Sequence, residues 1–228
     1  MAFVSLDRSE AVTVITIDRP PANALNVELV EELVGVLEEI ATAPPSAIVL
    51  SGRPGFFSAG ADLKAVPNHG PEQRRRMVSG INRIVLASYG LSCPAVAAVT
   101  GHAIAGGMVL ALGFDVRIAS TEGRYGLTEI KVGVPYPQAA IRVVAAELAP
   151  HAARRLALGN QLIDSSECLR LGVFDEVVAP SQVVGRAVAI AGELAAMPAD
   201  VYTRTKLDLR RDALAAMREA AEADPLLA

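Results

Sequence analysis

The first part of the chain changes from the hydrophobic spacing of a strand to that of a helix. From Val12 to Ile17 hydrophobic residues alternate with threonines, which predicts a β-strand, and the prolines of DRPPANAL then predict an ordered loop. After Asn26, a favourable helix N-cap, hydrophobic residues recur every three or four positions between glutamates. This spacing predicts an amphipathic helix. Its hydrophobic positions are Val30, Leu33, Val34, Leu37 and Ile40.

The same order of strand, loop and helix is repeated further along the chain. SAIVL, from Ser46 to Leu50, has the uninterrupted hydrophobicity of a short buried strand. After the polar stretch NHGPEQRRR, hydrophobic spacing predicts a helix. Its hydrophobic positions are Met77, Ile81, Ile84 and Val85. PAVAAV then predicts another buried strand, and a glycine pair begins a helix that continues through Val109 to Leu112.

One stretch imitates a membrane span. Between Pro94 and Phe114 only Thr100 and His102 are polar, over a length that would cross a bilayer. Pro94, Gly101 and the Gly106-Gly107 pair nevertheless interrupt the stretch where a strand, a turn and a helix would meet. We therefore expect a buried strand-turn-helix unit and no membrane association.

The second half of the chain becomes increasingly helical. DVRIAS and RYGLTEI predict short strands, and most segments from Gln138 onward predict helices, including Ala152 to Leu158 and Val183 to Met197. We expect an α/β core over residues 1–180 and a helical C-terminal region over residues 181–228.

Composition narrows the function classes. A chain of 228 residues with 52% hydrophobic residues can form one large domain, and its formal net charge of -4 argues against nucleic acid or an anionic membrane as partner. The basic run from Gln73 to Arg76 is expected to be a solvated helix face. Cys93 and Cys168 suggest no disulfide framework and are expected to be buried; without a visible export signal, a cytoplasmic location is predicted.

Two glycine-containing turns, FFSAGADLK and TGHAIAGGM, are the candidate chemistry. A nucleotide phosphate loop is excluded because Gly107 and Met108 stand where lysine and serine or threonine are required, and the glycine spacing of a dinucleotide site is missing too. Two interpretations remain open. The glycines allow close helix packing, or one backbone N–H from each turn points at a carbonyl oxygen that becomes negative during a reaction.

FSAGADLK and AVTGHAIAGGMVLA resemble the two signature segments of the enoyl-CoA hydratase/isomerase (crotonase) family. The resemblance extends from VTVITIDRPPANALN to the segment LGNQLIDSSECLRLGVFDEVV. It implies an α/β fold, the crotonase (ClpP-like) superhelix of strand-strand-helix turns. It also implies an acyl-CoA thioester substrate, no cofactor beyond that coenzyme A, and a homo-oligomer, either a trimer or a dimer of trimers. After Lys206 we expect a C-terminal region shorter than is usual for the family.

The resemblance also assigns roles to single residues. The N–H groups of Ala61 and Gly106 would hold the thioester oxygen, and further residues would bind the substrate. These are Ala22 in PPANAL, Ala59, Asp62, Leu63, Lys64, Gly107 and Val109. On chemistry alone, an aspartate at position 62 is more often a cap of the following helix. Lys64 could meet a phosphate, but a lone lysine is more often solvated. His102 is expected to be a core histidine without a catalytic role.

The glutamates decide the expected reaction. Hydratases of this family use two, and Val109 occupies the first of these positions while Glu129 in GLTEIK matches the second. Hydration asks for a base and an acid, normally two carboxylates, whereas moving a double bond from the β-γ to the α-β position needs only one carboxylate. We therefore expect a 3-enoyl-CoA to 2-enoyl-CoA isomerase, with Glu129 desolvated by residues such as Val109, Leu127 and Ile130.

Three alternatives to this expectation stay open. Glu129 alone could support hydration, or the protein could bind acyl-CoA without turnover. Glu129 could also be an ordinary surface carboxylate beside Lys131. The loop KVGVPYPQAA, stiffened by Pro135 and Pro137, is expected to reshape the acyl pocket.

Overall fold

The computed structural model describes residues 2–8 and 11–228. In chain order the elements are β1 (Val4–Asp7), β2 (Val12–Ile17), α1 (Val27–Thr42), β3 (Ala47–Ser51), β4 (Gly55–Ser58), α2 (Pro71–Tyr89), β5 (Ala95–Val99), β6 (Gly101–Ile104), α3 (Gly106–Leu112), β7 (Val116–Ser120), β8 (Tyr125–Gly126), α4 (Glu129–Val132), α5 (Gln138–Glu147), α6 (Pro150–Ala153), α7 (Ser165–Arg170), β9 (Glu176–Val178), α8 (Val183–Ala195) and α9 (Ala199–Glu222). Short 3₁₀ turns occupy Val66–Asn68, Pro180–Gln182 and Pro225–Leu227, and a π-helical turn follows α6 at Arg154–Leu158.

The strands form two sheets. The larger has the order β1-β2-β3-β5-β7-β9, in which β1 is antiparallel to β2 and every other pair is parallel. The smaller is parallel throughout, with the order β4-β6-β8. Three successive turns of the chain, β3-β4-α2, β5-β6-α3 and β7-β8-α4, thus each supply one strand to the large sheet, one to the small sheet and then a helix. This is the strand-strand-helix arrangement that the resemblance implies.

The first two predicted units are confirmed. β2 and α1 lie where the hydrophobic spacing places them, and the Asn26 side chain accepts the N–H of Leu29 as an N-cap at 3.1 Å. Leu29, Leu33 and Leu37 of α1 are fully buried in the main core. A burial of this kind stabilises the fold by roughly 1.5–3 kcal/mol per leucine.

The membrane-like stretch is internal structure. Pro94 to Phe114 contains β5, β6 and α3, so the predicted strand and helix are confirmed, while the predicted turn between them includes the short strand β6. Among the described residues, we find no helix with both the length and the apolarity that crossing a bilayer requires.

α8 covers the second face of the large sheet. Val183, Ala187 and Ala191 pack there in a separate cluster with strand residues such as Val49 and Val96. The sheet is therefore buried on both faces, which explains why β3 and β5 read as uninterrupted hydrophobic runs.

The prediction that RYGLTEI forms a strand is wrong beyond its first residues. Tyr125 and Gly126 pair with Ala103 and Ile104 of β6, but β6 ends at Ile104 and leaves no partner for the residues that follow. Glu129 therefore begins α4, a single helical turn.

Several side-chain predictions can also be judged. Cys93 and Cys168 are buried free thiols, as expected. The basic run is exposed, and its Arg76 pairs with Glu31 of α1 at 2.7 Å. The expectation that His102 is a core histidine is wrong, since it is only half-buried on β6, where it stacks on Phe56 and accepts the N–H of Arg124 at 3.0 Å.

Candidate functional site

A cavity of about 530 Å³, hereafter the central cavity, lies where the two glycine turns meet α2 and the segment from Thr128 to Pro137. Hydrophobic side chains from α2 and α3 form much of its wall. A concave, largely apolar site with a few polar groups is typical of small-molecule binding. The central cavity is therefore the candidate active site.

The first glycine turn is shaped by Gly60. Its φ of 77° lies in the left-handed region that favours glycine, and an added β-carbon would lie 2.7 Å from the Ile104 oxygen. The same β-carbon would lie 3.0 Å from the Gly106 nitrogen. Gly60 thus lets the backbone of the two turns approach each other closely.

The second turn carries a strained residue, Ala105. Its φ of 51° and ψ of -124° are unusual for a residue with a side chain, and its N–H donates to the Gly126 oxygen at 2.8 Å. Backbone strain of this kind costs of order 1–3 kcal/mol and tends to cluster at functional sites. Here the strain reverses the chain between β6 and α3, so that Gly106 begins the helix.

The two predicted N–H groups have no hydrogen-bond partner in the part of the chain that the structure describes. Neighbouring backbone groups are bonded, since Leu25 donates to Gly60 at 2.7 Å and Asp62 donates to Leu25 at 2.9 Å. Within residues 2–8 and 11–228, the N–H groups of Ala61 and Gly106 donate to nothing. A β-carbon added to Gly106 would lie 4.0 Å from the Ala61 nitrogen, so the two amides lie close together. Such a pair can act as an oxyanion hole.

Asn23 stabilises the first glycine turn through buried hydrogen bonds. It is fully buried, and its amide donates to the Ile17 oxygen at 2.9 Å and to the Phe57 oxygen at 3.1 Å. Ser58 donates from its hydroxyl to the Asn23 oxygen at 2.7 Å and accepts the Gly60 N–H at 3.2 Å. These bonds fix the backbone on which Ala61 lies.

Glu129 is the buried acid of the central cavity. It is 6% exposed, and its Oε2 has no hydrogen-bond partner in the described part of the chain. Burial raises the pKa of Glu129, although the Tyr136 hydroxyl and the N–H groups of Glu129 and Thr128 act to lower it. The alternative that Glu129 is an ordinary surface carboxylate is therefore wrong. Of the residues expected to desolvate it, Val109 and Leu127 are buried, but Ile130 is 54% exposed, so the expectation is wrong for Ile130.

The hydroxyl of Tyr136 is the side-chain group that influences the pKa of Glu129. This hydroxyl is buried and lies near enough to Glu129 to influence that pKa, yet no hydrogen bond forms between them. Burial, followed by the hydrogen-bonding influence and charge of Glu129, raises the pKa of Tyr136 itself. Tyr136 therefore remains a protonated donor at neutral pH.

The structure brings most, but not all, of the predicted residues to the cavity. Its lining includes Ala59, Ala61, Leu63, Gly106, Val109 and Glu129. Four predicted residues lie outside this lining, namely Ala22, Asp62, Lys64 and Gly107. Their assignment to substrate binding stays a prediction.

Those four residues have other contacts. The Ala22 oxygen accepts the Ala59 N–H at 3.0 Å, and Asp62 pairs with Arg19 at 2.8 Å. Asp62 also accepts the Lys64 N–H in a local turn, so it does not cap α2. Lys64 is exposed, as expected for a solvated lysine.

A β-carbon on Gly107 would lie 2.3 Å from the Ser58 oxygen. Gly107 thus serves close packing, and Gly106 presents a free amide.

Sequence reasoning missed several lining residues, including Tyr136, His69 and Leu226. Tyr136 lies between the two prolines that were expected to reshape the pocket, so a signal for it was present. His69 and Leu226 reach the cavity only through the packing of their turns on α2, which no local pattern reveals.

Comparisons with known proteins show which enzymes the chain is similar to. A model of the enoyl-CoA hydratase/isomerase family matches residues 7–227. The short-chain-enoyl-CoA hydratase of Clostridium acetobutylicum is 31% identical over 194 residues, which cover 84% of this chain and 74% of that protein. Human mitochondrial enoyl-CoA delta isomerase 1 is 30% identical over 213 residues, which cover 92% of this chain and 70% of the human protein.

Solved structures show the same fold. The enoyl-CoA hydratase EchA3 from Mycobacterium ulcerans superposes with a TM-score of 0.91 and 28% identity, over 97% of each chain. This likeness confirms the predicted crotonase fold along nearly the whole chain.

Proposed function

Because the chain belongs to the enoyl-CoA hydratase/isomerase family and is an enzyme of that family, we propose that it binds an acyl-CoA thioester in the central cavity. The reaction we assign is the shift of a 3-enoyl-CoA double bond to give a 2-enoyl-CoA. The observation that carries this assignment is that Glu129 alone, among the described residues that line the cavity, has a carboxylate.

The proposed reaction needs one proton-transfer group. Glu129 removes a proton from the α-carbon, and the electron pair moves onto the thioester oxygen as a dienolate. The N–H groups of Ala61 and Gly106 stabilise that oxygen. Glu129 then returns the proton to the γ-carbon, which leaves the double bond between the α- and β-carbons and the carboxylate as it began.

The magnitudes support a mechanism with so few groups. A positioned base is worth roughly 10²–10⁴-fold in rate, and one oxyanion-hole donor contributes about 2.7–4 kcal/mol. The raised pKa of Glu129 also makes it a better base than a solvated carboxylate.

Hydration is the second candidate, since relatives named as hydratases match this chain as well as the isomerase does. Against it, Val109 is buried in the cavity wall and offers no second carboxylate. A family member that binds acyl-CoA without turnover is the third candidate. The homo-oligomer, the cytoplasmic location and the lack of a cofactor beyond the substrate's coenzyme A stay predictions.

The test is to supply purified protein with a 3-enoyl-CoA and, separately, with crotonyl-CoA. Appearance of the conjugated 2-enoyl-CoA from the first, with little water uptake by the second, supports the isomerase. Faster hydration of crotonyl-CoA would overturn that assignment in favour of the hydratase. Tight binding of both thioesters without turnover of either would select the third candidate.

A further inference from the structure

One face of α2 changes from charged to apolar along the central cavity. Arg74, Met77, Val78 and Ile81 all line the cavity, and their spacing places them on the same face of the helix. Arg74 is exposed, whereas Met77 is buried and Val78 and Ile81 are half-buried. A ligand with a charged end and a hydrocarbon end would therefore place its hydrocarbon along the Met77 to Ile81 part of this wall.

The wall ends at a buried polar clamp formed by Asn82 and Asp224. Asp224 is 4% exposed and accepts three N–H bonds, from the Asn82 amide at 2.8 Å, the Gln138 backbone at 2.8 Å and the Leu226 backbone at 3.0 Å. Asn82 in turn accepts the N–H of Ala139 at 2.9 Å. The clamp therefore fixes the turn Pro225–Leu227 against both α2 and the first residues of α5.

The two leucines of this turn lie against different surfaces. Leu226 lines the central cavity, whereas Leu227 lines a separate shallow groove between α2 and α9 that includes Ser79, Arg83 and Arg218. Both leucines are half-buried. Fixing the turn therefore fixes one leucine in the cavity wall while its neighbour points elsewhere.

We propose that Leu226, held by the Asp224–Asn82 clamp, closes the hydrocarbon end of the central cavity and sets the length of acyl chain that the protein accepts. This inference rests on the proposed acyl-CoA ligand, but not on which reaction follows binding. The thioester lies at the amides of Ala61 and Gly106, and the acyl chain extends along α2 toward Leu226.

The length of the wall indicates the class of acyl chain. From Met77 to Ile81, the hydrocarbon part of the wall, the helix rises about 6 Å at 1.5 Å per residue. An extended chain advances roughly 1.2 Å per bond, one third of the span of an extended residue. About five bonds fit at this spacing, so we expect an acyl group near hexanoyl.

The test measures binding of saturated acyl-CoAs from butanoyl to hexadecanoyl by isothermal titration calorimetry, which requires no turnover. The proteins compared are wild type, Leu226→Ala, Leu226→Phe and the matched control Leu227→Ala. For wild type, affinity should rise by roughly fourfold per methylene, the equivalent of about 0.8 kcal/mol, and stop rising near hexanoyl.

The variants should shift that limit in opposite directions. Leu226→Ala should keep gaining affinity for roughly two further methylenes, Leu226→Phe should reach its limit earlier, and Leu227→Ala should match wild type. If all three variants keep the wild-type profile, the assignment of Leu226 is wrong although acyl-CoA binds. If no acyl-CoA binds wild type, the proposed function itself fails, so the two failures are distinct.

Discussion

Glu129 and Asp224 are both buried carboxylates beside the central cavity, but their surroundings differ. Asp224 accepts three N–H bonds from neutral amides on α2, α5 and its own turn. Glu129 projects an oxygen, Oε2, that has no partner in the part of the chain the structure describes. Similar burial therefore produces one carboxylate that is satisfied and one that is not.

We interpret this difference as one between a structural acid, Asp224, and a proposed proton-transfer group, Glu129. Buried polar groups are normally hydrogen-bonded, because an unpaired one costs about 1–3 kcal/mol. Asp224 follows that rule and connects three segments of the chain. Glu129 breaks it in the cavity that is also lined by the N–H groups of Ala61 and Gly106, which have no partner among the described residues. The proposed catalytic role would account for this unfavourable free energy.

The largest expected effect is the loss of activity in Glu129→Gln. The amide keeps the shape of the side chain but cannot accept the α-proton, so turnover of a 3-enoyl-CoA should fall by roughly 10²–10⁴-fold. Denaturant unfolding should show no loss of stability. A variant that retains the wild-type rate, or that unfolds more easily, would contradict the contrast drawn between the two acids.

Asp224→Ala should show the opposite pattern. It leaves the buried donors of Asn82 and Gln138 without an acceptor, so the free energy of unfolding should fall by about 1–3 kcal/mol. Its rate with a short 3-enoyl-CoA should change far less than that of Glu129→Gln. Asp208→Ala is the matched control, because Asp208 makes only exposed ion pairs, worth about 0–1 kcal/mol. Equal destabilisation in both variants would refute the clamp.

Tyr136→Phe should change the pH dependence of activity. The hydroxyl of Tyr136 lowers the pKa of Glu129, so its removal should raise that pKa further. Because the carboxylate is the active form, the acid limb of kcat/KM should move to higher pH. Tyr202→Phe, whose lost hydroxyl contacts Asp115 at 3.0 Å outside the central cavity, should leave the limb in place. If the acid limb of Tyr136→Phe does not move, the Tyr136 hydroxyl does not influence the pKa of Glu129.

The smallest effect concerns stability and pH. Burial raises the pKa of Glu129 above its ordinary value of 4.5, so the folded state holds this proton more tightly than the unfolded chain. The contribution of Glu129 to the free energy of unfolding therefore declines as the pH rises from 4.5 through the raised pKa, and then stays constant. Glu129→Gln lacks this pH-dependent contribution to the free energy of unfolding.

Urea unfolding at about pH 5 and about pH 8 measures the effect. The free energy of unfolding of Glu129→Gln relative to wild type should be larger at the higher pH. A difference that does not change with pH, or that shrinks as the pH rises, would show that burial does not penalise the Glu129 carboxylate.

Long hydrophobic patterns predicted the fold well, and short pairings did not. α1 and the strands β2, β3 and β5 follow from periodicity because each buries a continuous set of side chains. The small sheet was not apparent from hydrophobic spacing, because its strands have two to four residues and pair only after the chain has turned. β6 also ends at Ile104, so the residues after Gly126 have no residue of β6 to pair with, and Glu129 begins a helix instead.

The site could be predicted where backbone chemistry leaves a trace in the sequence. Glycines at positions 60 and 106 mark a close approach of two turns, and Glu129 follows a strand at the same edge. Leu226 leaves no such trace, since it reaches the cavity only through the bonds of Asp224 to residues far away in sequence. Long-range polar contacts of this kind require the structure.

The most direct test of the central claim follows hydrogen through the reaction. A 3-enoyl-CoA with both α-hydrogens replaced by deuterium is converted in ordinary water. The mass of the 2-enoyl-CoA product is then measured by mass spectrometry. If one buried carboxylate both removes and returns the proton, as proposed, a measurable fraction of product should retain two deuterium atoms, one of them on the γ-carbon. Product that carries only one deuterium from the first turnovers onward would contradict proton return by Glu129.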